Sequence, residues 1–349
     1  MKAPSLKPAH PRLAIQNHNE GDAMLTRRNA IKWATAGAAV TLAPHLRAQS
    51  FPSKPIKLVI GFTAGGAGDF IARSLAEHMS KAFSQPVVVE NRAGASGTLA
   101  AALVARSPAD GYTLFLPSDG NTSIAVATLG AKLAYDPIKD FVPISQLVSF
   151  PFVLVVNPSV PANSLKDLIA LAKAKPRQLN YASWGLGSTG HLAAELFCQQ
   201  AGVQIEHIAY KGSAAAVVDL RGGQVQMMFD TIASAGPHIK AGALRPIGLS
   251  STPRLKGFPD IPTLAETGLP NYNVSAFIGL MAPAGTPAPI IEALAKVSAD
   301  FAAQPEIGDR LAASGMVPVG STPRQFTDML VNDTARYRKL VQDQNLKFE

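Results

Sequence analysis

From Lys54 to about Leu249 the sequence changes period again and again. A β-rich run is followed by a turn rich in glycine or hydroxyl residues, and that turn opens a helix. Ile56-Lys57-Leu58-Val59-Ile60-Gly61-Phe62 reads as a strand, and beyond the next glycines Ile71, Leu75, Met79 and Phe83 recur at helical spacing. The unit continues with a strand at Val87 to Glu90, a helix at Gly97 to Arg106 and a strand at Tyr112 to Leu116. Strands that alternate with helices pair in parallel through right-handed crossovers, which gives an open sheet covered on both faces.

A second series of the same kind follows. It runs helix Leu165 to Lys175, strand Leu179 to Ser183, helix His191 to Ala201, strand His207 to Tyr210, helix Ala215 to Leu220, then strands Val225 to Phe229 and Leu244 to Leu249. Two long apolar runs, about 148–156 and 274–281, are the expected strands that cross between the two series. Helices at Pro289 to Ala302, Pro305 to Ser314 and Pro323 to Gln344 complete the chain. The expectation is an α/β protein of two doubly wound lobes joined by crossing strands, like a type II periplasmic binding protein, with the ligand cleft at the hinge. Lobe 1 takes residues 51–150 plus 275–349, and lobe 2 takes 151–274. A length of 349 residues suits two such cores.

Residues 1–50 read as an export signal with an N-terminal extension. Arg27-Arg28 and Lys32 precede the small-residue apolar run Trp33 to Ala43, and Leu46-Arg47-Ala48 offers a cleavage site after Ala48. This is a twin-arginine-like pattern that sends the protein to the periplasm, and its apolar run is well short of the roughly 20 residues that span a bilayer. Met24, just before the arginines, is an alternative start. The formal charge of +8 is concentrated there, with seven basic and two acidic residues in the first 48. The remaining charges are mixed, with no basic stripe to neutralise phosphates, so nucleic acid is excluded as a partner. Cys198 stands alone in an apolar helical pattern and reads as a core residue.

Phe62-Thr63-Ala64-Gly65-Gly66-Ala67-Gly68-Asp69 joins the first strand to the first helix. Such a turn lies beyond the carboxyl end of the sheet, where helix-start amides attract anions. Gly65 and Gly66 allow the backbone to approach a carboxylate, and Asp69 either caps the helix or accepts from a ligand; a plain tight connection is the other reading. The third glycine of a dinucleotide fingerprint is missing, so Glu90 has no ribose to hold. No phosphate loop, nucleophile elbow or metal-ligand cluster appears, and no cofactor or metal is expected. His191, His207 and His238 lie on separate elements and read as caps or surface residues. Lobe 2 carries a matching turn, Ser183-Trp184-Gly185-Leu186-Gly187-Ser188-Thr189-Gly190. Two helix starts facing each other could each hold one carboxylate of a dicarboxylate.

These motifs also resemble a known family. In order they include Phe62-Thr63-Ala64-Gly65-Gly66 with Asp69, Val88-Val89-Glu90-Asn91-Arg92, Asp110-Gly111-Tyr112, Tyr135-Asp136-Pro137 and Val155-Val156-Asn157-Pro158. Asn180-Tyr181 with Ser183, His191-Leu192, Tyr210-Lys211-Gly212, Gly223-Gln224-Val225, Met228-Phe229-Asp230 and Ala282-Pro283-Ala284-Gly285 follow. The set, which covers the chain from about Phe51, resembles the Bug-type solute receptors of tripartite tricarboxylate transporters. The resemblance implies a periplasmic receptor that binds a small organic acid largely through backbone amides and ordered water and passes it to membrane permease subunits; a monomer is expected.

The expected ligand contacts are Phe62, Ala64, Gly65, Gly66, Asp69, Ser118, Ser183, Trp184, Gly187, Ser188, Thr189, Tyr210 and Asp230. Phe62 and Tyr210 would form apolar walls, and Asp230 would accept from ligand or water. Asp119 departs from the family's usual Ser/Thr run and would either repel an anion or meet an amine. Trp184 either lends a ligand a broad apolar face or turns away and packs between the lobes. The alternatives in function are a receptor for a signalling kinase and an α/β enzyme, since one scaffold hosts many activities.

Overall fold

The computed structural model describes residues 51–62, 64 and 67–348. The export signal and Gly65 and Gly66 therefore lie outside the described residues. In chain order come β1 (Ile56–Ile60), α1 (Ala67–Phe83), β2 (Val87–Asn91), α2 (Thr98–Ala105), β3 (Thr113–Leu116), a 3-10 turn at Asp119–Asn121, α3 (Ser123–Leu129) and the long β4 (Phe141–Val156). Next are α4 (Leu165–Ala174), β5 (Asn180–Ser183), α5 (Thr189–Ala201), β6 (Glu206–Ala209), α6 (Ser213–Arg221), β7 (Met227–Thr231), α7 (Ile232–Lys240) and β8 (Arg245–Leu249). The last elements are α8 (Leu264–Thr267), β9 (Ser275–Pro283), α9 (Ala288–Ala302), α10 (Pro305–Ala312), β10 (Val317–Pro318) and α11 (Pro323–Asp343).

The strands repeat one topology. In the first half, β1 pairs in parallel with β2 and β3, and β9 joins β3 antiparallel. In the second half, β5 pairs in parallel with β6 and β7, and β4 joins β7 antiparallel. The spatial order is β2-β1-β3-β9-β4-β7-β5-β6, so β1 and β5 hold equivalent central places. Each is followed by a glycine-containing turn and a helix, the position at which open α/β sheets bind ligands.

β4 holds the halves together. Its residues 141–151 pair with β9, and residues 152–156 pair with β7 and β8. β9 stays within the first sheet; the return crossing is a shorter link, with Val274 N–H donating to the Ser250 carbonyl at 2.9 Å. Bulges at Pro143/Ser145 and Gln146/Val148 let the strand keep its pairing around a proline that cannot donate. α11 is the second stitch. Its Phe326 and Leu330 sit in a core cluster with Phe115 and Phe141, whereas its Tyr337 and Leu340 sit in one with Phe152, Tyr181 and Phe229. Among the described residues, no helix is long and apolar enough to cross a membrane.

Candidate functional site

The carboxyl ends of the two sheets meet in the middle of the molecule. A Cβ built on Gly61, just past β1, would fall 2.4 Å from the Gly97 Cα, and one on Gly97 would fall 2.6 Å from the Asn121 amide. Two connections of the first lobe thus meet backbone to backbone, and the side chain of Asn121 packs a third against them. From this knot Asp119 reaches the second lobe, where its carboxylate accepts a hydrogen bond from the Thr189 hydroxyl at the start of α5. Asp119 is 5% exposed, and burial pushes its pKa up to about 6 although Thr189 pulls the other way. Asp119 therefore faces a hydroxyl of the opposite lobe.

The first-lobe residues are mostly occupied in shaping their own turn. Asp69 is not the cap of α1 but lies in its first turn, accepting from Arg73 Nε and Asn91 Nδ2 at 2.9 Å each. Asn91 Nδ2 also donates to the Phe62 carbonyl at 3.1 Å. Asn91 is thus the brace of this turn, a role its place at the end of β2 did not announce. The Phe62 ring lies over Gly68, where a Cβ would come within 2.5 Å of it, and Ala64 is exposed. Ser118 caps the 3-10 turn: its N–H donates to Asn121 Oδ1 at 2.9 Å, and its hydroxyl accepts from Asn121 Nδ2 at 3.0 Å. Glu90 is held on the surface between Lys57, at 2.9 Å, and Arg92.

In the second lobe the turn curls back on itself because Gly185 and Gly187 take positive φ, 145° and 68°. Gly187 N–H donates to His191 Nδ1 at 3.1 Å, and Ser188 N–H donates to the Gly185 carbonyl at 3.2 Å. These amides, expected to hold a carboxylate, are spent inside the turn. Ser188 caps α5, and the amides of Thr189 and Gly190 at the helix start are left without an intrahelical acceptor. Trp184 lies flat on Gly190, where a Cβ would meet its ring at 2.4 Å, and its centroid is 5.5 Å from that of Phe152 on β4. The ring is half-buried against two core clusters built mainly from the second half of the chain.

Ser183 is fully buried beneath the turn, which removes it from direct contact with a ligand in this conformation. Its hydroxyl accepts from Gly185 N–H at 3.2 Å, donates to the Gly185 carbonyl at 3.0 Å, and lies 2.7 Å from His207 Nε2. A serine next to an imidazole suggests a nucleophile and base. The serine hydroxyl is also held between the Gly185 N–H and carbonyl, inside the turn. His207 and His191 lie on different elements, but their rings stack with centroids 3.9 Å apart, and Tyr181 stacks on His207 at 4.8 Å. Burial pulls His191 down to about 3 and His207 to about 4, so both are neutral near pH 7. The Tyr181 hydroxyl donates to Glu195, whose carboxyl burial raises. This stack holds the underside of the turn, and its partners lie on β5, α5 and β6, too far apart in sequence to be paired by spacing.

Asp230, 1% exposed at the end of β7, accepts from the Ser213 hydroxyl at 2.9 and 3.0 Å and from Thr231 N–H at 2.8 Å, and burial raises its pKa. Tyr210 places its hydroxyl on Asp219 at 2.8 Å, while its N–H donates to the Ser183 carbonyl at 2.9 Å. The carboxyl ends of β5, β6 and β7 are thus tied into one surface. Phe348 closes its flank, 3.4 Å from a Cβ built on Gly187 and edge-on to His191. Cys198 is buried in the core, which pushes its thiol up to about 12.

Comparison with known proteins assigns this geometry to a family. Residues 71–346 match the family described as tripartite tricarboxylate transporter family receptor. Protein BugT of Bordetella pertussis is 37% identical over 316 residues, 90% of this chain and 96% of its own. The structure of R. palustris Rpa4515 with adipate is 35% identical, covering 84% of this chain and 97% of that one, with a TM-score of 0.71. MatC from Rhodopseudomonas palustris with bound malate is 33% identical, covering 83% of this chain and all of that one, with a TM-score of 0.69. With a match over most of its length and a shared two-lobed fold, the chain belongs to the family of tripartite tricarboxylate transporter receptors.

Proposed function

We propose that the protein is an extracytoplasmic receptor that captures a small organic carboxylate between the β1–α1 and β5–α5 turns and delivers it to the permease subunits of a tripartite transporter. The observation that carries this reading is the Thr189–Asp119 hydrogen bond, which sets the anion-attracting start of α5 against the carboxyl end of the first lobe's sheet. Solved relatives bound to adipate and to malate support a carboxylate as ligand. In this reading the Thr189 and Gly190 amides take the carboxylate, the half-buried face of Trp184 lines the ligand's body, and Phe62, Ala64, Gly65 and Gly66 supply the opposite jaw. Ser183, Asp69, Ser118 and Asp230 hold those groups in place. The change of sheet in β4 after Pro151, and the start of β9 at Ser275, support lobes of 51–150 plus 275–349 and 151–274, with the end of α11 packed on lobe 2.

The protein acts by binding and hinge closure, without catalysis, as a monomer in the periplasm after cleavage behind Ala48. Thermal unfolding against mono-, di- and tricarboxylates, with adipate and malate among them, tests this. A ligand that binds only the folded state raises the melting temperature, by about 2.7 kcal/mol of stabilisation at a concentration 100 times Kd. Absence of a shift with every carboxylate would refute the proposal.

A further inference from the structure

Asp119 and a ligand carboxylate seated on α5 would meet at a single residue. The Thr189 hydroxyl donates to Asp119, and the N–H of the same threonine is one of the two amides that the reading above gives to the ligand. Two carboxylates would then share one helix start, in a seam where Asp119 is 5% and Thr189 7% exposed. Like charges this close and this dry disfavour each other's ionised form, as in carboxyl pairs that hold one proton between them.

The groups around Asp119 do not relieve the conflict. On its own turn the carboxylate is met by the N–H groups of Asp119 and Gly120. From α11 it is faced by Asp333, another acid, which is held by Arg336 at 2.9 Å, and by Tyr337, whose phenol is kept neutral by burial. From α5 come Thr189 and, two residues on, His191, which is neutral and accepts from Gly187 N–H at 3.1 Å. Among the described residues no basic side chain forms an ion pair with Asp119, so the positive charge nearest to hand is a proton from solvent. Burial already lifts the Asp119 pKa to about 6, so at pH 7 roughly a tenth of the molecules carry that proton before any ligand arrives.

We propose that Asp119 takes up a proton when the ligand's carboxylate docks on the start of α5, so that the receptor captures its anion together with one proton. The proton comes from solvent, rests on the Asp119 carboxyl and leaves when the ligand leaves. Above about pH 6 the free protein holds Asp119 ionised and the complex holds it protonated, so affinity falls as pH rises. The inference rests on the carboxylate site proposed above, and it holds for whichever acid occupies that site.

Calorimetric titration of the wild type and Asp119→Asn tests it, with adipate, malate and the acid of the panel above that shifts melting most. Titrations at pH 7.5 in HEPES and in Tris, which differ in their heats of protonation, count the protons taken up. A proton carried by the ligand itself appears equally in both proteins. The wild type should take up more than half a proton per ligand and bind at least 5-fold more weakly at pH 8 than at pH 6.5. Asp119→Asn should take up none, vary less than 2-fold over that range, and bind more tightly than the wild type at pH 8. No uptake by the wild type, or equal uptake by both proteins, would overturn the inference and leave the carboxylate site standing. No binding of these acids, with no melting shift from any carboxylate, would refute the site and the inference together. If Asp119→Asn does not melt near the wild type, the wild-type proton count decides alone.

Discussion

Asp119 is the residue through which the two lobes feel pH. Its folded pKa of about 6 stands above the ordinary 3.8, so between those values the native state holds more protons than the unfolded one. Stability contributed by this group therefore falls as pH rises from about 4 to 6, by on the order of 3 kcal/mol. His191 and His207, depressed to about 3 and 4, act in the opposite sense and lose stability as pH falls below their ordinary 6.5. A difference measurement separates them. Asp119→Asn keeps an acceptor for Thr189 but cannot ionise, so its stability relative to wild type, from urea unfolding, should be about 2–3 kcal/mol more favourable at pH 7 than at pH 4. The same difference at both values would show that Asp119 does not titrate in this way. Gly190→Ala belongs to the same scale: its Cβ would fall 2.4 Å from the Trp184 ring, so the indole must move. Overpacking of this kind costs about 1–3 kcal/mol. The variant should melt lower and respond less to carboxylates, and an unchanged melting temperature would mean that Trp184 yields freely.

At the scale of elements, the second-lobe turn is supported from beneath by the Tyr181–His207–His191 stack and from the side by the segment that follows α11. Phe348 contributes an edge-on contact with His191, of a kind worth about 0.5–1.5 kcal/mol. Phe348→Ala should cost about that much stability and weaken carboxylate binding several-fold, read by calorimetric titration; unchanged affinity would confine Phe348 to packing. The sequence pattern made the alternation of strands and helices legible, together with the two turns at equivalent places. It did not reveal the first half of β4, where Pro143 interrupts the run and the bulges at Pro143/Ser145 and Gln146/Val148 show how pairing continues. α7 was hidden in the same way by Pro237. Within the site, a glycine-rich turn could be seen, but not which of its amides remain available. The positive φ of Gly185 and Gly187, and the acceptor on His191, decide that, and neither can be read from spacing.

Across the whole molecule, two elements tie the lobes into one folding unit. β4 hydrogen-bonds in both sheets, and α11 buries Phe326 and Leu330 in one core and Tyr337 and Leu340 in the next. Loss of either lobe would strip β4 of half its partners and expose part of α11, so a state with one lobe folded gains little. Differential scanning calorimetry of the protein should therefore show a single transition with matching calorimetric and van't Hoff enthalpies. Tyr337 is fully buried, and Tyr337→Ala should destabilise by about 3–5 kcal/mol while preserving that single transition, because it weakens the stitch without cutting β4. If the wild type instead resolves into two transitions, β4 and α11 join lobes that fold independently. If only Tyr337→Ala does so, the cooperativity resides in α11, and β4 serves as a flexible strap about which the lobes turn.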